Sequence, residues 1–202
     1  MDSKMQTSLL LILGTIALFG GYLLLYPADP SELARQQVLA LIADPITAKV
    51  AIVVGYGGAL AMIIGLWTVS RTMFMAGGAG APYANIAFVL LIAATAGMAM
   101  RACMALSITG ASTMSSGLLL FNIEEALAVG TPLVLGPALI LLGLGIYFAK
   151  NFHIGVAAIV VVAGLISTVR PFLEIDALDL VGLVGFGIAS LVIGISRFRA
   201  AN

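Results

Sequence analysis

The chain alternates long apolar runs with short polar breaks, and the runs have the length of a bilayer crossing rather than of a globular-core helix. At about 1.5 Å per residue, a hydrocarbon layer about 30 Å thick needs on the order of 20 residues. Six runs meet or approach that length, at 9–26, 48–70, 84–109, 132–149, 154–170 and 180–198. Lys4 ahead of the first run resembles a signal-peptide start, but no A-x-A pattern follows, so the run is expected to remain as a helix.

The breaks are informative. In "YPADPSELARQQVLALIADPITAK", Asp29 stands as an N-cap, Pro30 at a first helical position and Glu32 three residues after the cap. Ala34, Val38, Leu41 and Ile42 recur at helical spacing, so a helix over 30–43 is predicted to lie in the interface, with Val38, Leu41 and Ile42 inward. Asp44 and Pro45 then repeat the cap-and-proline pattern for the second crossing, as Asp176 or Asp179 can for the sixth. A further helical segment is expected over 117–130, with Gly130 and Pro132 marking a bend into the fourth crossing. The second and sixth crossings share a pattern, "VGYGGALAMIIGLWTVSR" against "VGFGIASLVIGISRFR", compatible with duplicated hairpins. Glycine is common enough here for such a match to arise by chance, so Gly55, Gly57, Gly58, Gly185 and Gly187 are read as close-packing positions.

Composition agrees with the pattern. Of 202 residues, 62% are hydrophobic and 9% charged, which places the chain among all-α polytopic membrane proteins: a six-helix bundle with an interfacial amphipathic helix, in one domain over 1–202. The zero net charge supplies no basic field, so nucleic acid is not an expected partner; the lipid bilayer is.

Charge placement adds orientation. With the N-terminus inside, Lys4, Arg71, Lys150, Arg197 and Arg199 face the cytoplasm against the single acid Asp2. Asp29, Glu32, Asp44, Glu124, Glu125, Glu174, Asp176 and Asp179 fall outside, with Arg35, Lys49 and Arg170 among them. Both termini are therefore expected in the cytoplasm of a bacterial-type plasma membrane, which requires an even number of crossings.

Candidate chemistry gathers at one end. Arg101 in "MAMRACMAL" is the one basic residue well inside a crossing, about 12 Å from the outer end of the third helix, and an intramembrane charge calls for a partner. The short link "GASTMSS" brings the next segment alongside, so Arg101 is expected to pair with Glu124 or Glu125. Ala94, Gly97 and Ala105 share its face, which predicts close packing there. The pair reads as a clasp between two helices, or as part of an outward-facing ligand-binding cluster of Arg101, Asn122, Glu124, Glu125, Arg170 and Glu174.

Other chemistries find little support. No H-E-x-x-H or G-x-S-x-G motif occurs, His153 is the lone histidine, Cys103 the lone cysteine, and no lysine sits in a helix core, so no metal, haem, retinal or other cofactor is expected. Three function classes remain. One is a carrier-like protein, or one handling a small weakly polar ligand. The second is a non-catalytic accessory subunit, in a homo-oligomer or larger membrane complex. The third is an intramembrane enzyme using the carboxylate pair, for which the two acids need different environments. The scarcity of polar residues near the midplanes argues against a highly charged solute.

Overall fold

The computed structural model describes residues 3–29, 31–173 and 176–199, and among them every regular element is helical. Six helices are long and apolar enough to cross a bilayer, so the all-α polytopic bundle is present. The first crossing is α1 (Ser3–Phe19), prolonged by a π-helical segment, Gly20–Leu25. A short α2 (Ala34–Ala43) follows, then α3 (Pro45–Ala76), α4 (Ala81–Ile108), α5 (Met114–Ala149), α6 (Ile154–Leu173) and α7 (Asp176–Arg199).

Neighbours in sequence are neighbours in space. The crossings pack in the order α1, α3, α4, α5, α6, α7, and α7 returns to α1, closing a ring. Its interior is filled by side chains from all six crossings, among them Leu11, Met62, Leu66, Leu91, Leu139, Val160 and Ile193, all fully or almost fully buried. Because lipid is as apolar as leucine, the helices are held by close approach of backbones rather than by a hydrophobic gradient. The contacts bear this out: a Cβ added at Gly14 of α1 would meet the Gly58 carbonyl oxygen of α3 at 2.8 Å, and one at Gly164 of α6 would meet the Gly136 oxygen of α5 at 2.7 Å. The similar segments of α3 and α7 do not present matched glycines to matched neighbours. Gly57 faces open space, whereas its counterpart Gly187 lies against Phe19 and Thr15 of α1.

The α2 helix lies across one end. Val38 and Leu41 are fully buried and Ile42 half-buried, in a small cluster with Ala28, Ala48, Ile108 and Phe121. Gly117 makes room for this lid, since its missing Cβ would meet Val38 Cγ1 at 2.7 Å. The expected start at residue 30 is corrected. Pro30 lies outside the described residues, α2 begins at Ala34, and Gln36 Oε1 accepts the Leu33 N–H at 3.2 Å. Asp29 instead closes the preceding turn, taking the Ser31 N–H at 2.9 Å and its hydroxyl at 2.8 Å; these hydrogen bonds hold its carboxyl below the usual carboxylate range. Asp44 caps α3 as its sequence position indicates: Oδ1 accepts the Thr47 N–H at 3.2 Å, and Pro45 opens the helix. The Asp176 and Asp179 side chains lie outside the described residues.

The expected separation of segment 117–130 from crossing 132–149 is also corrected. Segment 117–130 and crossing 132–149 belong to one uninterrupted helix, α5, of 36 residues, with Pro132 and Pro137 inside it. Each proline removes one backbone hydrogen bond. Tertiary contacts hold the helix through this stretch: Thr131 Oγ1 lies 3.2 Å from where a Gly97 Cβ would stand, and Gly136 is wedged against Gly164 and Thr168 of α6. At about 54 Å, α5 exceeds the hydrocarbon thickness by some 20 Å, and its first turns carry the overhang under α2.

Opposite α2, the molecule ends in short turns. Lys150 adopts a left-handed conformation (φ 52°) to stop α5, and His153 Nδ1 accepts the Gly155 N–H at 3.1 Å at the start of α6. The lone histidine thus serves a helix start.

A candidate polar site under the interfacial helix

The site is built from three crossings. α4 brings Arg101, α5 brings Glu124 and α3 brings Tyr56 to a common depth beneath the α2 end. Small residues make the meeting possible. Ala94 and Ala105, on the Arg101 face of α4, are buried, and Gly97 stands against Thr131 of α5.

One carboxylate oxygen takes all the donors. Glu124 Oε1 accepts from Arg101 Nε at 2.9 Å and from the Tyr56 hydroxyl at 2.6 Å, and it is ion-paired with Arg101 Nη2 at 2.7 Å. The Tyr56 ring also lies under the guanidinium, with Cζ 5.5 Å from its centroid, so the same residue donates to the anion and presents a π-face to the cation. The Glu124 side chain is 9% exposed and that of Arg101 19%, so the pair is largely desolvated and its charge-assisted bonds are correspondingly strong. Among the described residues, no hydrogen bond reaches Glu124 Oε2 or Arg101 Nη1. The site therefore offers one acceptor and one donor group beyond its internal pairing.

Two further tyrosines border it. Tyr26, just after the π-helical turn, stacks on Tyr22 with ring centroids 6.0 Å apart. Burial pushes the Tyr26 phenol up from its ordinary value, and the negative charge of Glu124 adds to that rise, partly offset by Arg101. The phenol therefore stays protonated throughout the neutral range as a donor.

Of the residues expected in a cluster, Arg101 and Glu124 are together. Asn122 and Glu125 are exposed on α5, although Glu125 is close enough to act electrostatically on Tyr26. Arg170 belongs to a different helix pair, its side chain packing beside Gly182 of α7, and Glu174 lies outside the described residues. The two adjacent acids occupy different environments, Glu124 buried and ion-paired, Glu125 exposed, because successive helical residues are rotated by about 100° and only one can face the bundle.

Tyr56 was not singled out from sequence, and a signal for it existed in depth. It lies 11 residues into α3 from Pro45, and Glu124 lies 10 residues into α5 from Met114, both about 15 Å along their helices from the same end. A tyrosine at that depth, between Gly55 and Gly57, needs a hydrogen-bond partner, and Glu124 is at its level. No protein-family model, curated protein or solved structure matches the chain.

Proposed function

We propose that this multi-pass membrane protein is carrier-like, taking a small, weakly polar ligand at the cluster of Arg101, Glu124, Tyr56 and Tyr26, with α2 as its cover. The observation that carries this reading is the lopsided pairing of Glu124: two hydrogen bonds and the ion-pair contact converge on Oε1, leaving Oε2 and Arg101 Nη1 without described partners. A purely structural clasp gains most from a bidentate fork using both oxygens, whereas a binding site keeps an acceptor and a donor in reserve. The ring stacking of Tyr22 and Tyr26 supplies an apolar rim suited to a weakly polar molecule. The positive-inside pattern supports an orientation with both termini cytoplasmic and this cluster facing outward, as in a bacterial-type plasma membrane.

The test compares co-purifying small molecules by mass analysis in wild type and in Arg101→Leu/Glu124→Met, a double variant that removes both charges while preserving apolar packing. A molecule retained by wild type and lost from a folded double variant is expected. Identical small-molecule profiles in two equally folded proteins would sink the ligand reading.

A second reading, an accessory subunit within a larger membrane complex, is favoured by α4. Its outward face carries Ala93, Ala96, Met100, Cys103 and Ser107, mostly small and all exposed, the kind of face against which another helix packs closely. Intact partner association with the Arg101–Glu124 pair removed would favour it.

A further inference from the structure

Two hollows lie away from the polar site, in line along the seam between α1 and α3. The first, about 390 Å³, is lined by Gln6, Leu9, Leu10, Leu13 and Gly14 of α1 with Ala61 of α3. The second, about 450 Å³, is lined by Ser3 of α1 and by Trp67, Thr68, Arg71, Thr72 and Met75 of α3. Ser3, Gln6, Leu10 and Leu13 follow one another at helical spacing on a single face of α1. Ala61, Thr68, Arg71 and Met75 do the same on α3. The helices are antiparallel, so the two hollows follow one another along a single seam, a groove taken as one site, with polar side chains at the end of the termini and mainly apolar ones toward the middle of the bundle.

Its dimensions and chemistry match one class of molecule. From Ser3 to Leu13 the groove runs about 15 Å, half of a hydrocarbon layer about 30 Å thick, which is the depth reached by the acyl chains of one leaflet. At the polar end, Arg71 is exposed and makes no hydrogen bond or ion pair with any described residue, and the Trp67 indole N–H is likewise uncommitted. The neighbouring hydroxyls are already oriented: Thr68 donates to the Ile64 carbonyl at 2.8 Å and Thr72 to the Val69 carbonyl at 2.7 Å. Arg197 of α7 stands behind, donating to Thr72 Oγ1 at 2.7 Å, with its Nη1 buried and unpartnered among the described residues. No described residue at this end is acidic.

We infer that this groove seats one phospholipid with an anionic headgroup. The phosphate meets Arg71 and the Trp67 N–H, and an acyl chain lies over Leu10, Leu13 and Ala61. The tryptophan has the amphipathic character of interfacial anchors, with its ring held edge-on to Phe88 of α4 at 5.8 Å. Charge complementarity selects an anionic over a zwitterionic lipid, and the apolar continuation selects a lipid over a free phosphate.

Native mass spectrometry on the full chain, with phosphatidylglycerol and phosphatidylcholine at equal mole fraction, tests this. One phosphatidylglycerol is expected to be retained in preference, and Arg71→Gln to weaken that retention about fivefold or more. Lys150→Gln, at the same end but outside the groove, should leave retention unchanged. Ala61→Phe should lower occupancy by filling the apolar section, and Leu13→Gln, at an exposed position, serves if that variant does not fold. Equal retention of the two lipids, indifference to Arg71→Gln, or an equal loss with Lys150→Gln would each overturn the seat. Displacement of the lipid by millimolar inorganic phosphate would show a free-anion site instead.

Discussion

At the residue scale, Glu124 holds the densest set of interactions, and its partners are not equivalent. Removing the guanidinium leaves a desolvated carboxylate, so Arg101→Ala should cost about 3 kcal/mol or more in detergent unfolding. Tyr56→Phe deletes one charge-assisted bond but leaves the ring beneath Arg101, and a smaller loss of about 1.5–3 kcal/mol is expected. Combining Arg101→Leu with Glu124→Met should recover much of the loss of either single change, because a buried ion pair is often no better than well-packed apolar groups. Strictly additive losses in a double-mutant cycle would show that the two side chains do not act as a pair. The pair itself was legible in the sequence, since a charge inside an apolar run demands a partner and a short link limits the choice to Glu124 or Glu125. Which acid it would be depended on helical phase, and Tyr56 arrives from α3, which no local pattern connects to α5.

At the scale of elements, helix starts and glycine contacts divide legible from illegible. The Asp44–Pro45 cap was readable because its hydrogen bond spans three residues. Hydrogen bonds from Thr47 hold the Asp44 carboxyl below its ordinary range, so its contribution is present above the unfolded-state value and is lost as pH falls through the lowered folded-state value. Asp44→Asn should accordingly flatten the acid limb of a stability-against-pH curve measured by thermal unfolding; an unchanged limb would show that the cap does not report on folding. Gly57 and Gly58 make a sharper contrast. Nothing lies within 4 Å of a Cβ at Gly57, whereas one at Gly58 would meet the backbone of Gly14, Ala17 and Leu18 of α1. Gly58→Ala should destabilise by about 1–3 kcal/mol through overpacking. Gly57→Ala should be neutral or stabilise by up to about 1 kcal/mol through helix propensity. Chemical denaturation of both distinguishes them, and equal effects would contradict the α1–α3 contact. The continuity of α5 could not have been read locally. Gly130, Pro132 and Pro137 are each a reason for a break, and they are overruled by contacts with α4 and α6 that only the assembled bundle provides.

For the whole molecule, the count of six crossings and the interfacial helix were both visible in hydropathy, because bilayer thickness sets a length that a chain cannot evade. Sidedness follows from the proposed orientation and is directly measurable. Cysteines at Ser3 and Lys150 should react with an impermeant thiol reagent only after the membrane is opened, while one at Gln36 should react in intact cells; labelling of Lys150→Cys from outside would invert the topology. Ring closure was not legible, since no pattern in either helix announces that the last crossing returns to the first.

That closure also dictates an order of assembly. During synthesis α1 meets α3 early, but the face it turns to α7 has no neighbour until the final helix is made. This face carries Ser8, Leu11 and Thr15, near where Gly194 and Gly187 will dock. Ser8 donates its hydroxyl to the Lys4 carbonyl at 2.9 Å and Thr15 to the Leu11 carbonyl at 2.7 Å, both within α1 itself. While it waits, the nascent helix can therefore present this face to lipid with its hydroxyls already satisfied. Absence of α7 would thus leave neither of these hydroxyls unsatisfied, and α7 packs against a surface that the chain formed some 170 residues earlier.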